Sequence, residues 1–118
     1  MNFKTENAKL RLAYFDMLIR HAAERAEHHA SECEVYAAIE EGYRDDLKRM
    51  HAQIRLDTIE SGMYNSRYYE PILEKLVARC QTITKKVNIA KKEAIQALSN
   101  RNKYKELKDE FIKIQKLK

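Results

Sequence analysis

Tryptophan is absent from these 118 residues, proline occurs once, and glycine and cysteine occur twice each. So few chain breakers leave no material for the turns of a sandwich, a barrel or a loop-rich enzyme, and 35% charged residues fit long charged helices instead. Two cysteines do not make a disulfide framework. No run of 18 apolar residues is present, which argues against a spanning helix. The amino terminus MNFKTENAKLRLAYF lacks the long apolar stretch and small-residue cleavage site of a secretory signal, so a soluble, intracellular protein of one domain is expected.

What is present is periodicity. Stepping alternately by three and four from Leu12 meets Phe15, Ile19, Ala22, Ala26, His29, Cys33, Tyr36, Glu40, Tyr43, Leu47, Met50, Ile54 and Asp57, and eleven of the fourteen positions are apolar. The same step from Tyr69 meets Leu73, Leu76, Cys80, Ile83, Val87, Ala90, Ala94, Ala97, Arg101, Tyr104, Lys108, Phe111 and Gln115, again with eleven apolar members. At 44% hydrophobic composition chance supplies about six, so the pattern predicts two coiled-coil arms. Near the carboxyl end a second spacing, Tyr104, Leu107, Phe111 and Ile114, competes with the first and reads as a stutter in which the seam drifts around the helix.

Between the arms, DTIESGMYNSRYYE holds Gly62 and an Asn-Ser pair able to cap a helix, and it immediately precedes Pro71. The expected fold class is all-α, a two-helix antiparallel coiled-coil hairpin with helix 1 at about 6–58, a turn at about 59–68 and helix 2 at about 69–116. The second helix is expected to become regular only near Pro71, since proline is tolerated in a first turn and costly further in. Folding near residue 62 pairs positions whose numbers sum to about 125. Cys33 then lies beside residue 92, about 18 Å along the axis from Cys80, so both are expected as reduced core thiols.

Residues 1–60 carry 9 basic and 12 acidic side chains, and residues 61–118 carry 14 and 6. The acidic stretch Glu27, Glu32, Glu34, Glu40, Glu41, Asp45 and Asp46 falls opposite Arg79, Lys85, Lys86, Lys91 and Lys92, a pattern that favours antiparallel pairing within one chain. Beyond it, Arg101, Lys103, Lys105, Lys108, Lys113, Lys116 and Lys118 meet only Glu106, Asp109 and Glu110 locally. The hairpin's open end, which also brings Lys4, Lys9 and Arg11, is therefore basic and suited to an acidic surface.

His21, His28, His29 and Cys33 invite a metal reading, but two ligands at i, i+4 do not make a zinc site, and no cofactor or metal is expected; His29 is placed to meet Gln96. Asp45-Asp46 and Glu40-Glu41 lie on a solvated face without a pocket, so no catalytic site is expected and the chain reads as a non-enzyme. Tyr36, Tyr43, Tyr68, Tyr69 and Tyr104 stand in the seams or beside the turn, where incompletely buried rings suit a binding surface. Nucleic-acid binding is disfavoured, because the acidic clusters on the neighbouring arm repel phosphate.

The segment from Tyr36 to Lys108, with YAAIEEGYRDDL, SGMYNSRYYEPILEKL and QTITKKVNIAKKEAIQALSNRNKYKELK, resembles the FliJ family of flagellar export proteins and its injectisome counterparts of the YscO/SctO (EscO-like) type. That resemblance implies a non-enzymatic central stalk of a type III secretion system. Such a stalk enters the pore of a hexameric export ATPase, stimulates it and reaches an export-gate protein of the inner membrane, and some members bind export chaperones. Carried onto this chain, the resemblance puts Tyr36, Ile39, Tyr43, Ile72 and Leu76 on the gate- or chaperone-facing side. The ATPase-facing end falls to Arg11, Arg20, Arg101, Lys103 and Lys108. It implies a bacterial cytoplasmic protein, peripheral to the membrane and monomeric in isolation. The residues alone support an alternative, a generic coiled-coil adaptor or chaperone-binding protein of another secretion system.

Overall fold

The computed structural model describes residues 3–117 of the chain, with side chains described from residue 6 to residue 116. The protein is an all-α helical hairpin of two helices, α1 (Phe3–Ser61) and α2 (Ser66–Leu117). Its residues pack as two compact units. One joins Met1–Ser31 to Ala90–Lys118, and the other is Glu32–Ile89.

In the second unit the connection is tighter than the expected 59–68. Gly62 adopts φ 74°, and its N–H donates to the Thr58 carbonyl at 2.9 Å, the single bond of a left-handed helix C-cap. Ser61 Oγ lies 2.7 Å from the Asp57 carbonyl and 2.9 Å from the Met63 carbonyl, and it accepts from the Met63 N–H at 3.3 Å. Three residues on, the Asn65 side chain accepts from the Tyr68 N–H at 3.3 Å and its carbonyl from the Tyr69 N–H at 3.1 Å, which makes Asn65 the N-cap of α2. The cap explains why α2 is regular from Ser66 rather than from Pro71. One capped turn is already formed where the proline enters, and the proline removes a single hydrogen bond from the helix. Nothing lies within 4 Å of a Cβ built on Gly62, so Gly62→Ala meets only the left-handed backbone penalty. It should cost about 1 kcal/mol in urea unfolding, and a loss near zero would show that the turn relaxes to another type.

The two seams are the core. Every member of the first, from Leu12 to Asp57, is buried or half-buried, and of the second only Gln115 is exposed. Ala22, Ala26, Ala90 and Ala97 form the buried centre of the first unit, and Tyr69 and Ile83 that of the second. In the first unit Asp16 meets Lys108, and Phe15 meets Phe111 with ring centroids 5.9 Å apart. In the second, Thr84 donates to Glu40, and Cys33 Sγ approaches the Val87 carbonyl at 3.9 Å. These partners follow the expected sum to within about one helical turn, the reach of a long side chain. Cys33 therefore sits beside Val87 rather than residue 92, and both cysteines are free.

Two expectations change. The carboxyl-terminal stutter does not occur, because Leu107 and Ile114 stay 48% and 52% exposed while Lys108 keeps its seam position against Asp16. Nor does Lys86 answer the acidic stretch of α1 with an ion pair; its Nζ lies over the Tyr36 ring, 5.7 Å from the centroid. Glu40 is held instead by Thr84 across the seam and by Arg44 on its own helix at 3.5 Å, so this polar seam residue is satisfied.

Candidate functional site

Seam positions are denoted a and d, with Leu12 at a on α1 and Leu73 at a on α2. In an antiparallel pair the g positions of both helices then share one flank and the e positions the other. The cations suggested for an ATPase-facing end, Arg11, Arg20, Arg101, Lys103 and Lys108, all belong to the first unit. They span roughly 20 Å along its axis.

They do not form one patch. Arg11, at g, lies over the Phe111 ring at 5.8 Å, and Lys103 at c projects to the same flank, exposed. Arg20, at b, is exposed beyond the opposite flank. Arg101 and Lys108 are a positions within the seam: Lys108 is paired with Asp16, and Arg101 has a buried Nε with no hydrogen-bond partner among the described residues. Arg20 and Lys103 are thus the freely presented cations of the five, and Lys108 contributes first to the pairing of the helices.

The suggested gate- or chaperone-facing residues, Tyr36, Ile39, Tyr43, Ile72 and Leu76, all belong to the second unit. Tyr36, Tyr43 and Leu76 are half-buried seam residues, as d positions must be. Ile39 and Ile72 are g residues on one flank, but the register separates them by about 20 Å. Ile39 is 39% exposed. A partner would have to lie along this flank to touch both isoleucines.

Exposed apolar side chains also gather in the sequence around the turn, where Leu56, Ile59, Met63, Tyr64 and Tyr68 are exposed and Tyr69 is buried. Tyr64 stacks on Tyr69 at 6.3 Å and Tyr68 meets it edge-on at 4.9 Å, so the tip is ordered by aromatic packing. Sequence reading singled out Tyr68 and Tyr69 but not Leu56, Ile59, Met63 or Tyr64, which lie off the heptad seam and carry no periodic signal.

In the first unit an open groove of about 340 Å³ runs along the g flank, lined by Leu18 and Arg25 of α1 and by Gln96, Asn100 and Tyr104 of α2. It exists because Ala22 and Ala97 fill the seam beneath it with methyl groups alone. His29 Nδ1 lies 3.1 Å from Glu93 Oε2, so His29 meets Glu93 rather than Gln96, one turn earlier, where a carboxylate is offered. Charge also sorts by unit. The first unit carries 14 basic and 8 acidic side chains, net +6, and the second 9 and 10, net −1. Among the described residues no helix is long and apolar enough to cross a membrane. No protein-family model matches the chain, nor does any curated protein or solved structure.

Proposed function

We propose that this chain is the non-enzymatic central stalk of a type III secretion system, binding a hexameric export ATPase at its basic unit and linking that ATPase to the export gate, with export chaperones as further partners. The observation that carries the reading is the charge division. A helical pair with net charge +6 is attracted to an acidic ring with weak geometric demand, which suits a shaft that must re-seat against six equivalent subunits. The second unit, near neutral and bearing Tyr36, Ile39, Tyr43, Ile72 and Leu76, is then the gate- or chaperone-facing part, and no cofactor enters this reading. The location that goes with it is the bacterial cytoplasm, beside the inner-membrane export apparatus.

The test is hydrolysis by a type III export ATPase as a function of added protein. Stimulation should saturate at about one copy per six ATPase chains, as a stalk on a six-fold axis requires. Arg20→Glu with Lys103→Glu should abolish it while leaving the unfolding midpoint unchanged, because both side chains are exposed. Reversal of Lys108 would be uninformative, since it also breaks the Asp16 pair. No change in rate and no co-elution with the ATPase would overturn the stalk reading and leave a coiled-coil adaptor of another secretion system.

A further inference from the structure

The spacing Tyr104, Leu107, Phe111, Ile114 is not absorbed by the hairpin. Tyr104 and Phe111 are half-buried seam residues, whereas Leu107 and Ile114 remain about half exposed at g. Two apolar heptad lines therefore share one helix face, and only one of them is used within the chain. The second line is continuous with the groove of the first unit. Asn100 lines that groove, and Leu107 and Ile114 repeat its heptad position one and two heptads on. On α1 Leu18 lines the groove at g, and Tyr14, 56% exposed, stands one heptad before His21, which also lines it. The result is a trough between two helices with Leu18, Ala22, Ala97 and Tyr104 as its apolar lining and Leu107 and Ile114 continuing its heptad position, the geometry into which a third helix packs knobs into holes.

The borders of the trough indicate its occupant. Arg25 lines it directly, Arg11 is one heptad before Leu18, and Lys103 is one heptad beyond the lining Gln96. Against them stand Glu93, which also lines the groove and meets His29, and Glu110. Residues 101–118 carry seven cations and three acids in all, Lys103 and Glu110 among them. A second copy of the chain would bring a like-charged face to this one, whereas an acidic helix neutralises it. We infer that the g flank of the first unit, built on Leu18, Leu107 and Ile114 with Arg11, Arg25 and Lys103 at its edges, is a docking groove for an acidic amphipathic helix of a partner protein. The hairpin thereby becomes two strands of a three-helix bundle.

The inference does not depend on the stalk reading, and its test uses no ATPase. The probe is a fluorescent synthetic peptide of about three heptads with leucine at a and d and glutamate at e and g, which self-repulsion keeps unpaired, alongside its lysine counterpart. Titration of the full chain should show one-to-one binding of the glutamate peptide that weakens with salt, and none of the lysine peptide. Leu107→Ser with Ile114→Ser should weaken binding about tenfold or more with an unchanged unfolding midpoint, since both side chains are half exposed. Arg25→Glu with Lys103→Glu should transfer the preference to the lysine peptide, a gain that misfolding cannot produce. Equal binding of the two peptides, binding retained after the double serine substitution, or no binding of the glutamate peptide would overturn the proposal. So would sedimentation showing that a second copy occupies the face.

Discussion

Ile83→Ala is expected to lower stability by about 2–4 kcal/mol, read from the midpoint of urea unfolding followed by helical circular dichroism. Ile83 is 6% exposed at a d position of α2, one of two buried hydrophobics in the Glu32–Ile89 unit, the other being Tyr69 at the turn. Truncation removes most of the apolar surface that the side chain buries and leaves a gap that a two-helix seam, with neighbours on one side only, closes incompletely. Small domains hold only about 5–15 kcal/mol in total, so a loss of this size is a large fraction of the whole. Ile89→Ala is the internal control. Ile89 belongs to the same unit and is 56% exposed, so its truncation should stay within about 0.5 kcal/mol. Amide exchange in residues 32–89 should accelerate in the Ile83 variant and not in the Ile89 variant. Equal effects of the two substitutions would mean that this unit is held by something other than its heptad seam.

Arg101→Leu should raise stability by about 1–3 kcal/mol, measured in the same urea titration. Arg101 occupies an a position, and its Nε is buried without a hydrogen-bond partner among the described residues. A donor stripped of water and given nothing in return destabilises the folded state, and leucine at an a position restores apolar contact with the opposite helix. The other polar seam residues differ in this respect: Glu40 accepts from Thr84, Asp57 from the Gln53 amide at 2.9 Å, His29 faces Glu93 and Lys108 meets Asp16. Leucine at Arg101 should therefore stabilise where leucine at Lys108 gives up the pair with Asp16. A fall in stability on Arg101→Leu would assign the guanidinium a structural contact. A rise accompanied by loss of ATPase stimulation would place its outer nitrogens at the partner surface proposed above.

The seams were legible in the sequence because a heptad has a period of its own, and eleven apolar positions in fourteen on each arm leave few alternative faces to bury. Gly62 and Asn65 were legible as punctuation, although their cooperation in so short a connection was not. The C-cap bond of Gly62 and the side-chain bond of Asn65 depend on backbone angles that residue type permits but does not impose. The candidate site was less legible. Arg11, Arg20, Arg101, Lys103 and Lys108 look equivalent as a run of cations, yet Lys108 is spent on Asp16 and Arg101 lies in the seam, because charge counts carry no information about which face a residue takes.

The clearest division is at Tyr104, Leu107, Phe111 and Ile114. By itself the sequence determined that this stretch carries two overlapping apolar lines, since both are functions of spacing alone. Only the tertiary structure decided which line faces the partner helix. Phe15 against Phe111 and Asp16 against Lys108 fix the rotation of α2, and that rotation leaves Leu107 and Ile114 in solvent beside the groove over Ala22 and Ala97. Local periodicity sets what a helix can bury, and the long-range contacts that pair one helix with another select which of those faces is buried.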